Sequence, residues 1–156
     1  MTTAVVERWI ELPLRRYVED AQALLALLLT PSGQVLGQHG FARAIDVMSA
    51  CALSAAIYAS AAELGRQLQG KPFTGLHHAG AVRQMFLAST ETTRGQLLCL
   101  TVFDEATSLG LVRVYFDELS ARLAAAALDT AVPPPVVLAE TFEADLDRNL
   151  ALLFQR

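Results

Sequence analysis

The feature that most constrains the fold is an apolar run of seven residues, Ala23–Leu29, which ends abruptly at the Thr-Pro-Ser-Gly sequence of residues 30–33. Three structures contain apolar runs of this kind: a membrane anchor, the end of a buried helix and a buried strand. A bilayer span needs about 20 apolar residues, so the run is too short to be an anchor. Leu and Ala favour helix, but a short run that is apolar on every side is typical of a strand buried on both faces. Because Pro31 and Gly33 suit a tight turn, we predict a hairpin whose second strand covers residues 34–40.

Two helices are predicted around this hairpin. Residues 12–21 form the first, with Pro13 in its first turn, where a missing N–H removes no hydrogen bond. Residues 42–69 form a long helix that is rich in Ala and Ser and carries apolar residues all around it. Each apolar face of a helix is normally covered by another part of the protein. In one small domain the sheet covers one face, and a subunit interface is the best explanation for the other.

The middle of the chain is predicted to be sheet. Residues 73–80, 82–90 and 96–105 have the composition of strands, and Gly and polar residues separate them. Residues 107–128 then form a last long helix, with Ser108 or Thr107 as its cap. The predicted order is helix, two strands, long helix, three strands and helix, in an α/β (α+β) domain.

The composition excludes several classes of protein. Apolar residues make up 53% of the 156 residues, which excludes a disordered chain. The formal charge of −4, with one lysine and scattered arginines, argues against a nucleic-acid partner. No secretory signal is visible at the N-terminus, so we expect a soluble, cytoplasmic protein without direct membrane insertion. Cys51 and Cys99 lie in apolar segments without metal-binding spacing and are predicted to be buried thiols.

No motif in the sequence requires an active site, a metal or a cofactor. Residues 65–72, GRQLQGKP, resemble a phosphate-binding loop, but Pro72 replaces the required Ser or Thr. We therefore interpret this segment as a helix end with Gly70 as its stop signal. His77 and His78 are neighbours in a strand and point to opposite faces, so one is predicted to pack and the other to face water.

The C-terminal part differs from the rest. A proline-rich spacer at residues 131–137 separates a domain at residues 1–130 from an amphipathic helix at residues 138–156. Apolar residues recur in that helix at every fourth position, and acidic residues occupy the remainder. Such a helix docks either on its own domain or on a partner. Its apolar residues are Leu138, Phe142, Leu146, Leu150 and Phe154.

Three stretches in this order resemble the roadblock family of dynein-light-chain-related domains. They are ALLALLLTPSGQVLG, the Ala-rich helix ending LGRQLQGKPF, and LCLTVFDEATSLGLVRVYFDEL. Within that family the chain is most similar to the bacterial regulators of small GTPases that act in cell polarity. The resemblance spans about residues 10–128.

The resemblance implies a roadblock/profilin-like fold: a five-stranded antiparallel sheet with one long helix on one face and two on the other. It implies a homodimer that pairs through the long helix and a sheet edge. It also implies binding of a Ras-like small GTPase, whose GTP hydrolysis is accelerated by reorganising the GTPase's own catalytic residues. The activator then needs no active site, cofactor or metal of its own.

Candidate contact residues follow from this resemblance, although the sequence does not fix which face of helix 42–69 meets which partner. The residues expected at the dimer seam or against the sheet are Met48, Cys51, Ala52, Ala55 and Ala59. The residues expected to face the GTPase are Asp46, Ser54, Tyr58, Phe142, Leu146 and Leu150.

Two other functions compete with GTPase activation. A non-catalytic roadblock scaffold would bind a GTPase or another complex and only localise it. A small-ligand sensor would need an enclosed pocket, but the predicted strands lack converging polar groups.

Overall fold

The computed structural model describes residues 7–42, 45–129 and 147–153. The predicted element order is confirmed. The elements are α1 (Arg8–Ala21), β1 (Leu25–Leu29), β2 (Val35–Gly40), α2 (Val47–Gln69), β3 (Gly75–Ala79), β4 (Gln84–Thr92), β5 (Gly95–Phe103) and α3 (Leu109–Asp129).

The five strands form one antiparallel sheet in the order β2-β1-β5-β4-β3. All five residues of β1 are buried, as expected of a strand with neighbours on both sides and helices on both faces. The hairpin after β1 is confirmed: the Thr30 N–H donates to the Gln34 carbonyl, 2.9 Å away. Gly33 lies in this turn with φ +92°, a conformation that favours glycine.

Helices α1 and α3 cover one face of the sheet and build the larger part of the core. Large side chains come from both helices and from the strands beneath them. Tyr17 is buried, and its hydroxyl lies 2.6 Å from the Thr101 hydroxyl on β5. The buried set on this face includes Trp9, Ile10, Leu14, Tyr17, Phe86, Cys99, Phe103, Phe116, Leu119 and Leu123.

Helix α2 covers the opposite face, which confirms the predicted placement of one helix against two. Here the sheet supplies the large side chains and the helix supplies small ones. Cys51 and Ala55 of α2 are buried against strand leucines. Those leucines are Leu25, Leu27, Leu29, Leu87, Leu98 and Leu100.

Two helix starts differ from the prediction. Helix α1 begins at Arg8, so Pro13 lies inside the helix and not in its first turn. The extra turn forms because Trp9 and Ile10 continue the buried face of Leu14 and Tyr17. Helix α2 begins at Val47 and not at residue 42.

The predicted helix signals at the other positions are confirmed. Gly70 ends α2 with φ +75°, and its N–H donates to the Arg66 carbonyl. The Leu111 N–H donates to the Ser108 hydroxyl at the start of α3. Residues 147–153 are helical, whereas the spacer at 131–137 and residues 138–146 lie outside the described residues.

Candidate interaction surface on helix α2

The side chain of Asp46, the residue before Val47, caps the N-terminus of helix α2. The Ser49 hydroxyl donates to the Asp46 carboxylate at 2.8 Å, and the Ser49 backbone N–H donates to it at 3.4 Å. These hydrogen bonds hold the pKa of Asp46 below its ordinary value, because they favour the charged form. Asp46 is exposed, so it is accessible to a partner as well as capping the helix.

The inner face of α2 is built from small residues that lie close to the sheet. Cys51 and Ala55, which were expected at the dimer seam or against the sheet, are on the sheet side. Ser54 was expected to face the GTPase, but it is only 3% exposed and belongs to this inner face. A Cβ at Gly65 would lie 2.5 Å from the Phe73 backbone nitrogen, so glycine permits the close approach of the next segment.

Tyr58 also joins α2 to the sheet. Its hydroxyl donates to the Ser89 hydroxyl on β4 at 3.0 Å and accepts from the Gln96 amide on β5 at 3.0 Å. The side chain is half-buried, so its rim reaches solvent while its hydroxyl is used within the protomer. Tyr58 therefore has a structural role that the sequence did not indicate.

The outer face of α2 is apolar and exposed. Four large side chains are spaced by four, seven and four residues and lie along one side of the helix; we name them the outer apolar ridge. They are Leu53, Ile57, Leu64 and Leu68, exposed by 63%, 36%, 50% and 70%. The sequence showed apolar residues all around this helix but did not predict that these four would form one exposed ridge.

A second apolar strip lies on the other flank of α2, next to the hairpin turn. Met48 is 75% exposed, and Ala52 and Ala59 are also exposed. Gly33 of the turn approaches Ala52 so closely that a Cβ on it would lie 3.3 Å from the Ala52 Cα. These three members of the expected dimer set are therefore accessible, unlike Cys51 and Ala55.

Helix α2 is also long and apolar enough, by length and composition alone, to cross a membrane. Its inner face, however, packs against the leucines of its own sheet, and Tyr58 is hydrogen-bonded to two strands. The inner face of α2 is therefore used within the protomer, and its outer face is the part that is available to a partner.

The prediction for the two strand histidines is confirmed. His77 packs: its Nε2 atom lies 2.8 Å from the Gln84 Oε1 atom and its ring stacks on Phe103, while His78 is exposed. Within the described ranges, no three His, Cys, Asp or Glu residues converge as metal ligands. The phosphate-loop-like segment is the end of α2, as predicted.

Both cysteines are free and buried, as predicted. Burial raises the pKa of the Cys51 thiol and raises that of Cys99 to about 12. A thiol that stays protonated is a poor nucleophile. The two cysteines therefore act as small apolar core residues, one on each face of the sheet.

The C-terminal candidates are only partly within the described residues. Leu150 lies in the helical segment 147–153 and is 42% exposed. Phe142 and Leu146 lie outside the described residues, so their expected contacts stay a prediction.

Comparison with known proteins identifies the fold. Myxococcus xanthus MglB superposes with a TM-score of 0.68 at 26% identity, covering 75% of this chain and 93% of the other. The gliding protein MglB from Thermus thermophilus gives 0.67 at 25% identity, covering 83% and 96%. A Roadblock/LC7 domain from Streptomyces avermitilis gives 0.61 at 14% identity, covering 70% and 89%. The chain therefore has a roadblock fold of the MglB kind.

No protein-family model and no curated protein matches the sequence.

Proposed function

Starting from this MglB-like roadblock fold, we propose that the protein is a homodimeric cytoplasmic regulator of a Ras-like, MglA-like small GTPase. In this proposal it activates GTP hydrolysis and serves cell polarity or a related process. The observation that carries the proposal is the exposed outer face of α2 on a fold of the MglB kind.

Self-association accounts for the outer apolar ridge. Leu53, Leu64 and Leu68 together expose more apolar surface on one side of a helix than scattered single residues would. A second copy offers an identical ridge, and two identical ridges pack against each other about a two-fold axis. The Met48–Ala52–Ala59 flank stays accessible beside that seam and is the surface we propose for the GTPase, together with Asp46 and the rim of Tyr58.

The proposed mechanism needs no catalytic residue from this chain. GTP hydrolysis requires the attacking water, the magnesium ion and the transition-state charge to be aligned within the GTPase. A partner that binds the aligned conformation more tightly than the others raises the population of that conformation. The size of the acceleration is limited by this difference in affinity.

The test is GTP turnover by the Ras-like GTPase encoded nearest this gene, measured with and without the purified protein. We expect a large acceleration that saturates near two protomers per GTPase. Binding at saturation with turnover at the intrinsic rate would identify a scaffold instead. Absence of binding would overturn the proposal for that GTPase.

Two variants sharpen this experiment. Arg66 is the one arginine in α2, where it pairs with Glu63 at 3.1 Å. Because we propose no inserted arginine, Arg66→Ala should leave the acceleration unchanged, and a loss of several orders of magnitude would contradict the mechanism. Leu150→Ser tests the C-terminal segment: a weaker acceleration would place that helix in the complex.

A further inference from the structure

Helix α3 carries an exposed apolar surface of its own, on the other side of the sheet from α2. It buries one side against the sheet and α1. The residues of that buried side are Val112, Phe116, Leu119, Leu123 and Ala127. The side that points directly away from the sheet is also apolar: Leu111, Val114 and Leu128 are exposed by 50%, 55% and 61%. Because each apolar side of a helix is normally covered, this outer side is a candidate contact surface.

The exposed residues on the outer side of α3 are spaced alternately by three and four positions. This is the spacing with which two long helices pack along each other. The exposed alanines at two of these positions let a second helix approach closely. We name the set the α3 strip. It consists of Leu111, Val114, Glu118, Ala121, Ala125 and Leu128.

Two copies of the α3 strip match when the two helices run antiparallel. At 1.5 Å per residue, Leu111 and Leu128 each lie about 13 Å from the midpoint of the strip, between Glu118 and Ala121. A two-fold axis at this midpoint therefore places Leu111 of one copy opposite Leu128 of the second copy. In the same way Val114 meets Ala125, and Glu118 meets Ala121. Large side chains thus meet at both ends of the strip, and small ones lie near its centre.

The charges beside the α3 strip favour the same orientation. Within one protomer, the Arg122 Nη2 atom lies 3.6 Å from the Glu118 Oε2 atom, and its Nη1 atom lies 4.0 Å from the Asp20 Oδ2 atom of α1. Arg122 follows Glu118 by one turn on the same flank, and the two-fold axis brings equal flanks together. Glu118 of each copy then lies beside Arg122 of the other. Parallel helices would instead place the two Glu118 carboxylates at one level, where they repel.

We propose that a second copy of this chain binds the α3 strip and that the two α3 helices pack antiparallel. The strip has six positions, whereas a standard protein interface has about 20–30 residues on each side. The contact is therefore weak and reversible, and it forms at high protein concentration. Since α2 and α3 cover opposite faces of the sheet, the α3 contact joins dimers without displacing the seam proposed on α2.

Sedimentation equilibrium over a wide range of concentration tests this contact. The average mass of the parent protein should rise from that of a dimer toward twice that value. Val114→Glu combined with Leu128→Glu should keep the dimer mass throughout. The matched control is Leu12→Glu combined with Val82→Glu, which adds two charges at exposed residues outside the strip and should keep the rise. A parent mass that does not rise, or an equal rise in the strip variant, would overturn the proposal.

A further variant separates the α3 contact from the seam on α2. Leu53→Glu combined with Leu64→Glu removes the outer apolar ridge but leaves the α3 strip intact. It should be a monomer in dilute solution and form a dimer at high concentration. A mass that stays at the monomer value would overturn the α3 contact, whatever the result for the ridge. Far-UV circular dichroism verifies that each variant is folded.

Disulfide formation tests the orientation of the two helices. Leu111→Cys and Leu128→Cys place thiols at opposite ends of the α3 strip, while the two native cysteines are buried. When the two variants are mixed and oxidised at high concentration, antiparallel packing predicts a disulfide-linked pair. Each variant oxidised alone should remain largely unlinked. Equal linkage in each variant alone would overturn the antiparallel arrangement, and no linkage in the mixture would overturn the contact itself.

Discussion

The two faces of the sheet are packed in different ways. On the α1/α3 face, both the helices and the strands contribute large side chains, such as Tyr17, Phe103 and Phe116. On the α2 face, the strands contribute leucines and the helix contributes Cys51, Ala55 and other small residues. The four leucine and isoleucine side chains of the outer apolar ridge point away from the sheet. The difference shows that a helix can cover a sheet closely and still present a second apolar surface.

The largest expected effect is a cavity on the fully covered face. Leu119→Ala removes a side chain of α3 that is completely buried. We expect the free energy of unfolding in urea to fall by about 2–5 kcal/mol, because the surrounding side chains refill such a space only partly. Leu128→Ala in the same helix is the control: that side chain is 61% exposed, so the change should be within about 0.5 kcal/mol.

A smaller loss is expected where α2 lies closest to the rest of the domain. Gly65→Ala places a Cβ 2.5 Å from the Phe73 nitrogen, so the backbone must shift. We expect the free energy of unfolding to fall by about 1–3 kcal/mol, although alanine favours helix more than glycine does. Gly110→Ala is the matched control, since the nearest atom to its new Cβ would be 3.9 Å away. Equal stability changes in the two variants would contradict the close approach at Gly65.

Substitutions on the outer apolar ridge should separate stability from association. Leu53→Glu combined with Leu64→Glu should change the stability of the protomer by less than about 0.5 kcal/mol, because both side chains are exposed in it. The same variant should elute as a monomer in light-scattering measurements, while the parent protein elutes as a dimer. Leu12→Glu alters an exposed leucine of α1 and is the control. A double variant that keeps the mass of the dimer would exclude the ridge as the seam.

The smallest effect is expected at the start of α2 and depends on pH. The folded-state pKa of Asp46 is lowered, so its contribution to stability is present above the unfolded-state pKa and is lost as the pH falls through the folded-state pKa. Asp46→Asn should therefore be less stable than the parent at neutral pH, and the difference should shrink in acid. Urea unfolding at several pH values measures this. A difference that is constant with pH would contradict the role of the charged cap.

The sequence predicted the elements that local chemistry controls. Pro31 and Gly33 marked the hairpin, Gly70 marked the end of α2, and Ser108 marked the start of α3, because each residue acts on its own stretch of backbone. The start of α1 was placed too late. Its first turn is stabilised by the burial of Trp9 and Ile10, which depends on the strands beneath them.

The candidate site was less predictable than the fold. The spacing of residues in α2 groups them into faces, but the spacing does not state which face meets the sheet. Ser54 was therefore assigned to a partner although it is buried, and the outer apolar ridge was not singled out.

The sequence by itself thus determined the order of helices and strands, where most of them end, and the apolar character of α2 on all sides. Only the tertiary structure decided that the small residues of α2 lie against the sheet while Leu53 and Leu64 lie outside. The physical reason is space: where the leucines of the strands fill the layer between sheet and helix, the helix contributes the small residues Cys51, Ser54 and Ala55, and a leucine would not fit in their place.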